Sequence, residues 1–160
     1  MDVFCGMYIN EDDKNQEDIM SRMALILPYR KKMGNYQFLM KRALILKWDK
    51  HPDVSGIVSY GPEIGIEESL AEIIESEAGY KVDPEAFKNL GLCSTSRDSE
   101  MICQLYAVDM QYNKTSDRDI PEKIIAEEVE GMFWGDEEIL LESLDSQLIA
   151  CYAKAHYLLL

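Results

Sequence analysis

The stretch from Gly61 to Tyr80 constrains this chain most, because a glycine-bounded loop leads there into a short acidic helix. Apolar side chains recur at spacings of three and four over residues 66–78, which predicts one amphipathic helix. Gly79 stands where a helix stop belongs. We therefore expect this helix to pack one side on a core and to end at Gly79.

The carboxylates of this helix fall into two groups. Turning each residue by about 100° places Glu77 within the apolar stripe and Glu68, Glu72 and Glu75 on the opposite side. For those three, a solvated helix face is favoured over a metal cluster. A carboxylate on a packing face is costly to bury unless it is paired, protonated or bound to a cation. Glu77 is therefore either a functional carboxylate or a last-turn residue that turns outward to solvent, and the sequence leaves both open.

Length and charge limit the function classes. The 160 residues are about one domain's worth, so we expect a single domain over residues 1–160, with an N-terminal strand and acidic connector over 1–21. The 30 acidic residues against 16 basic ones give a formal net charge of -14. That charge argues against general nucleic-acid binding and against anionic membranes. We see no leader and no apolar run of bilayer-spanning length, so we expect no membrane association.

The cysteines suggest no zinc site. Cys5, Cys93, Cys103 and Cys151 form no CxxC pair and have no histidine at ligand spacing. We expect reduced, mostly buried thiols in a cytoplasmic protein. The two histidines are interpreted as a loop residue, His51, and a structural helix residue, His156.

Strands and helices alternate along the chain in an order that predicts a sheet with helices against it. Pro28 is expected to end the second strand, residues 30–35 to form a hairpin turn, and residues 49–53 and 111–123 to form loops. The predicted strands are residues 1–9, 22–29, 36–46, 57–60, 89–96, 100–109 and 130–134. Besides 66–78, the predicted helices are a small one beginning at Asp136 and one over residues 145–160.

This layout carries several short motifs. They are a strand ending in Pro-Tyr-Arg, a hairpin with a Lys-Arg pair, a Gly-rich turn, a helix closing on Glu-Ala-Gly-Tyr, Ser99-Glu100 after a Ser-rich hairpin, and Glu127-Glu-Val-Glu130. Together they resemble the Nudix hydrolase superfamily, nearest to the ADP-ribose pyrophosphatases, over residues 22–158. The resemblance implies an α/β (α+β) fold, a Nudix-type α/β/α sandwich with a central mixed sheet.

The family motif ends in Arg-Glu-aliphatic-any-Glu-Glu-any-Gly-aliphatic, and its glutamates converge on magnesium beside the diphosphate. Aligning its Gly with Gly79 puts Glu72 at the Arg position and places Ile73, Ser76 and Glu77 at the three glutamate positions. One of the three motif carboxylates is therefore kept, and the stretch from Gly61 is three residues shorter than the pattern. A slip by one residue would bring Glu72 and Glu75 to metal positions but would turn Leu70 and Ile74 out of the core.

If the protein is active, the resemblance implies a metal-assisted water that attacks a diphosphate. The magnesium ligands would be Glu77 and Glu100, with Glu72 and Glu75 as further candidates. The base that activates water would be Glu128. Arg42 or Arg30 would grip substrate phosphate through two parallel hydrogen bonds, beside the turn at Gly61.

Two hypotheses follow, from different classes. The first is a magnesium-dependent pyrophosphohydrolase of a nucleoside diphosphate linked to another moiety, such as ADP-ribose, with weak activity because its metal-binding glutamates are degenerate. The second is a catalytically silent Nudix-fold module that binds a nucleotide or a protein partner. An unrelated acidic α+β interaction domain is a third reading. The resembling branch often forms dimers, and residues 1–9 could add a strand to a partner, so a homodimer is also expected by analogy.

Overall fold

A computed structural model describes residues 22–45, 51–60, 66–94, 102–111 and 131–160 of the chain. The expected strand over residues 1–9 and the polar loop over 112–123 lie outside these residues. The strands are β1 (Arg22–Lys32), β2 (Asn35–Ile45), β3 (His51–Ser55), β4 (Ile57–Tyr60), β5 (Lys88–Ser94), β6 (Ile102–Asp109) and β7 (Gly131–Gly135). The helices are α1 (Ile66–Ala78), α2 (Glu137–Leu141) and α3 (Ser146–Leu158), with a 3₁₀ turn at Pro84–Ala86.

The described strands form one mixed sheet. Its main path runs β3-β2-β1-β6-β5, with β4 added beside β1 and β7 added beside β2. The β1–β6 pair is parallel, from Arg22 opposite Ile102 to Tyr29 opposite Asp109, and the other pairs are antiparallel. A parallel pair needs a crossover connection, and α1 lies between β1 and β6 in the chain.

Helices cover both faces of the sheet. Successive strand residues point to opposite faces, so a single strand contributes side chains to two cores. On one face Ala24 and Ile26 of β1 pack in a cluster with α1, which we call the α1-side core. On the other face Leu25 and Leu27 pack in a cluster with α2 and α3, the α3-side core. This arrangement confirms the expected α/β/α sandwich with a central mixed sheet.

The prediction that Pro28 ends its strand is wrong, since β1 continues to Lys32. The antiparallel register with β4 ends at Ile26, and that with β2 begins at Tyr29. Pro28 falls in the gap between these two partners, where its missing N–H removes no ladder bond on that side. The hairpin turn is consequently shorter than expected: Met33 (φ 52°) and Gly34 (φ 85°) form its two-residue turn, and both take the positive φ that such a turn requires.

The expected loop at residues 49–53 is also wrong in its second half. His51 and Pro52 begin strand β3, which pairs with Leu44 and Ile45 of β2. Because β3 is at the edge of the described sheet, a proline there interrupts no ladder on its outer side.

Aspartates fix the start of both C-terminal helices, as expected at Asp136. Asp136 accepts a hydrogen bond from the Ile139 N–H, and Asp145 accepts from the N–H groups of Gln147 and Leu148. Each carboxylate thereby satisfies backbone donors that have no partner within their own helix. Within the described residues, no helix is long and apolar enough to span a membrane.

Candidate functional site

Helix α1 presents a defined face to the solvent because its other face is fixed by burial. Leu70, Ile74 and Ala78 are fully buried in the α1-side core. The helix then ends as predicted: Gly79 takes φ 74°, a left-handed conformation that suits glycine, and its N–H donates to the Glu75 carbonyl at 2.9 Å. These buried residues fix the orientation of α1 about its axis, and therefore the direction in which each of its other side chains points.

The outward face of α1 forms one wall of an open groove of about 400 Å³, which we call the α1 groove. Ile73, Ser76 and Glu77 all line it, and these are the three positions to which the Nudix motif would assign glutamates. The three motif positions assigned by alignment on Gly79 therefore lie on one surface. The other described residues that line it are Val58 of β4 with Ser69 and Glu72 of α1.

Glu77 lies at the edge of the apolar stripe. Its placement is intermediate between the packing face and open solvent, the two alternatives that the sequence left open. Its side chain is 35% exposed, so it is neither buried in the core nor fully turned to solvent. A carboxylate oxygen, Oε1, lies 3.8 Å from Nζ of Lys41 on β2. The lysine ammonium thus competes with a metal cation for this carboxylate, through an ion pair between two partly exposed side chains.

The other acidic residues of α1 divide between the groove and open solvent. Glu72 is exposed and lines the groove, whereas Glu68 and Glu75 are exposed and are not among its lining residues. The slipped alignment is not supported, because it would turn Leu70 and Ile74 outward and both are fully buried.

Magnesium fits the described part of this groove poorly. Mg²⁺ requires six nearly octahedral oxygen ligands and is commonly held by one or two carboxylates plus substrate phosphates. The groove offers the carboxylates of Glu72 and Glu77 with the hydroxyls of Ser69 and Ser76, and Glu77 already pairs with Lys41. No cluster of three or more His, Cys, Asp or Glu side chains suited to a metal occurs among the described residues.

A second cleft, of about 250 Å³, lies where β1 ends, and we call it the Arg30 cleft. Three successive cations from β1 line it with two aromatic residues, which is a basic and aromatic surface on a chain of net charge -14. Its lining residues are Arg30, Lys31, Lys32, Tyr80, Met110, Gln111 and Trp134.

Contacts with Trp134 and Gln37 orient Arg30 in this cleft. Its guanidinium carbon lies 4.1 Å from the centre of the Trp134 ring, within the range of a cation–π contact. Its Nε donates to the side-chain oxygen of Gln37 at 2.8 Å. Trp134 is itself buried, and its Nε1–H donates to the Tyr80 hydroxyl at 3.3 Å. The arginine is therefore oriented by a buried tryptophan and by a half-buried glutamine on the neighbouring strand.

The two clefts flank the same end of α1. Tyr80 of the Arg30 cleft follows Glu77 of the α1 groove by three residues, so their Cα atoms lie at most about 11 Å apart. Arg30 also points to the α1 side of the sheet, because it has the same parity along β1 as Ala24 and Ile26. One extended ligand could therefore contact both clefts.

The remaining predicted site residues are separate from these clefts or are not described. Arg42 is half-buried on β2, opposite Val54 and Gly131, and it lines neither of the two clefts. Gly61, Glu100 and Glu128 lie outside the described residues, so their roles stay predictions.

Sequence reasoning missed Lys41, Trp134 and Tyr80 as site residues. The run Arg30-Lys-Lys is the sequence signal for the Arg30 cleft, and from it the sequence predicts Arg30 as a phosphate ligand but places the run in a turn. The partners of this run come from strands far apart in sequence, so only the three-dimensional register brings them together.

The sheet, its two helical layers and the position of α1 define the Nudix fold, and this chain has that fold. No protein-family model and no curated protein matches the sequence. The chain is similar in structure to the Nudix domain of Shewanella oneidensis NrtR complexed with ADP ribose. The TM-score is 0.59 at 11% identity, over 87% of this chain and 88% of that one.

Two hydrolase structures have a similar fold. An ADP compounds hydrolase matches with a TM-score of 0.57 at 10% identity, over 84% of this chain and 71% of that one. A C. elegans Ap4A hydrolase matches with a TM-score of 0.54 at 14% identity, over 86% of this chain and 96% of that one. At these identities the likeness establishes the fold, and the chemistry has to be argued from the residues.

Proposed function

We propose that this chain is a Nudix-fold protein that binds a nucleotide-derived diphosphate such as ADP-ribose, with hydrolysis that is weak or absent. One observation carries the proposal: the three motif positions line a single groove, yet they hold Ile73, Ser76 and Glu77. The one carboxylate kept among them pairs with Lys41. This wall of the groove can contact a ligand, but it supplies little of the negative charge that a catalytic magnesium requires from its ligands.

The Arg30 cleft supports binding of an anionic ligand. A guanidinium binds phosphate through two parallel hydrogen bonds, and it contributes more to binding affinity when it is oriented before the ligand binds. Stacking on Trp134 and the hydrogen bond to Gln37 supply that orientation. Lys31 and Lys32 add positive charge at the same place on an otherwise strongly acidic chain. A ligand that carries two phosphates matches this charge.

The proposed ligand class is consistent with the compounds named for proteins of the same fold. Those names are ADP ribose, ADP compounds and Ap4A, and each denotes phosphates joined to adenosine. We therefore choose ADP-ribose as the first probe. Assembly as a homodimer stays a proposal that rests on the resemblance, and a cytoplasmic location stays a proposal that rests on the cysteine pattern.

Magnesium-dependent hydrolysis is the second candidate, and one observation favours it. Glu72 lines the same groove as Glu77, so two carboxylates do border this surface. Glu100 as a further ligand and Glu128 as the base would have to complete the site. In this alternative a bound metal supplies charge stabilisation and activates a water, and Lys41 must release Glu77 before that carboxylate can bind it.

Calorimetric titration with ADP-ribose tests the proposal, using wild type, Arg30→Lys and the matched control Lys88→Arg at an exposed strand position. Loss of a charge-assisted hydrogen bond costs about 1.5–3 kcal/mol, so we expect Arg30→Lys to weaken binding by roughly ten- to a hundredfold. The control should change binding less than twofold. Equal affinities for wild type and Arg30→Lys, both folded by circular dichroism, would remove the Arg30 cleft from the proposal.

A further inference from the structure

Two cysteines face each other across the β5–β6 ladder. Cys93 of β5 is the direct partner of Cys103 of β6 in the antiparallel register, and both side chains pack in the α3-side core. A third thiol, of Cys151 on α3, packs in the same α3-side core and donates a hydrogen bond to the Tyr106 carbonyl at 3.4 Å. This thiol cluster belongs to neither cleft.

The opposed pair has the geometry that a disulfide needs. Residues directly opposite each other in antiparallel strands have Cα atoms about 4.5–5.5 Å apart. Disulfides span Cα separations of about 4.4–6.8 Å, so a bond between Cys93 and Cys103 requires little backbone movement. Both side chains lie on the same face of the ladder, because both pack in the α3-side core.

Access differs among the three thiols. Cys93 is partly exposed, on the outermost strand of the described sheet, while Cys103 and Cys151 are fully buried. An oxidant in solution therefore meets Cys93 first, and Cys103 is the neighbour placed to react with the product. Cys151 is held towards the Tyr106 backbone instead.

We propose that Cys93 and Cys103 are an oxidation site, at which a hydroperoxide converts the dithiol to a cross-strand disulfide. The Cys93 thiolate attacks a peroxide oxygen, the O–O bond breaks, and Cys93 becomes a sulfenic acid while the peroxide is reduced to hydroxide or alkoxide. The Cys103 sulfur then attacks the Cys93 sulfur, an S–S bond forms, and the S–O bond breaks. The thiol proton of Cys103 leaves with the hydroxyl group as water.

Burial of the two thiols makes this reaction slow at neutral pH. Burial raises the pKa of the Cys93 thiol; the neighbouring Cys103 thiol and the Lys154 ammonium lower that pKa, and the carboxylate of Asp145 raises it. Burial and the neighbouring Cys93 raise the pKa of Cys103 to about 12. Because the thiolate is the nucleophile, the rate should rise about tenfold per pH unit between pH 7 and 9.

Peptide mapping tests the site. The full chain is exposed to hydrogen peroxide at pH 7, 8 and 9, remaining thiols are blocked in denaturant, and peptides are identified by mass spectrometry without reduction. We expect the Cys93–Cys103 peptide pair, reversal by dithiothreitol, and a fall from four free thiols to two. A disulfide that joins Cys103 to Cys151, or sulfinic acid at Cys93 with no disulfide, would overturn the proposal.

Two variants separate the pair from the other thiols. Cys93→Ser keeps a small side chain at a partly exposed position and should leave all three remaining thiols free after oxidation. Cys5→Ser should retain the disulfide at an unchanged rate. If Cys93→Ser still loses two thiols, while its circular dichroism matches that of wild type, the assignment of Cys93 is wrong.

Discussion

Restoring the two missing motif carboxylates should create a metal site in the α1 groove. Ile73, Ser76 and Glu77 line this groove together, so the double change Ile73→Glu with Ser76→Glu would direct three carboxylates to one surface. Three converging carboxylates supply more of the oxygen ligands that a hard cation requires than the two present carboxylates beside Lys41 do. The prediction follows from the geometry alone and needs no knowledge of the natural ligand.

The cost of this change to folding is modest. Ile73 is only half-buried, so its replacement forfeits about half of the 1.5–3 kcal/mol of a fully buried aliphatic side chain, or about 1 kcal/mol. Ser76 is exposed, and a substitution there lies within about 0.5 kcal/mol. New like-charge pairs with Glu72 and Glu77 at spacings of four add about 0.2–0.5 kcal/mol each. The sum, about 2 kcal/mol, is less than the 5–15 kcal/mol of a typical domain.

Calorimetry with Mn²⁺ and Mg²⁺ measures the result. We expect the double variant to bind the metal at least tenfold more tightly than wild type, equivalent to about 1.4 kcal/mol. A matched control, Glu68→Gln with Glu75→Asp, alters exposed residues outside the groove and should leave metal affinity at the wild-type value. A folded double variant with wild-type metal affinity would refute the assignment of these positions to one site.

Three further predictions concern stability. Leu70→Ala or Ile74→Ala should each lower the free energy of unfolding by about 2–5 kcal/mol in urea titrations, because both are fully buried; exposed Glu75→Ala should change it by less than about 0.5 kcal/mol. Burial raises the pKa of the Asp145 carboxyl in the folded protein. The protonated carboxyl therefore stabilises the fold at low pH. This stabilisation is lost as the pH rises from about 4, the unfolded pKa, through the raised folded pKa. Asp145→Asn should remove that decline from the urea midpoints, and an unchanged pH profile would contradict it. Gly135→Ala should cost about 1–3 kcal/mol, since a Cβ there would press on the side chains of Met40 and Phe133; a variant that unfolds at the wild-type urea midpoint would show that these side chains can move aside.

Local patterns predicted the elements whose cause is local. The spacing of Leu70, Ile74 and Ala78 fixed the buried face of α1, and Gly79 marked its end as the sequence indicated. Asp136 likewise capped its helix where it was expected. These features depend on neighbours within a few residues, so a single sequence contains the information.

The errors arose where tertiary context overrode a local signal. Proline normally ends a strand, but Pro28 lies where β1 changes its antiparallel partner from β4 to β2, and Pro52 lies on an edge strand. Neither circumstance is visible before the sheet order is known.

The site itself depends on long-range register. The Lys41–Glu77 pair joins β2 to α1, and Arg30 meets Trp134 because β1 and β7 both pair with β2. Sequence spacing could identify Glu77 as unusual, and it could not supply the cation beside it. The roles of Glu100 and Glu128 stay predictions, because both residues lie outside the described part of the chain.

Wild-type protein should bind ADP-ribose without magnesium and without cleaving it. Titration with ADP-ribose in magnesium and in EDTA, followed by analysis of the same mixtures for AMP, measures both properties. We expect affinities within about twofold of each other in the two buffers, no effect of Glu77→Gln on metal dependence, and little or no AMP. Binding that requires magnesium, weakens in Glu77→Gln and yields AMP at about one turnover per second or faster, within the ordinary enzymatic range, would contradict it and establish the hydrolase.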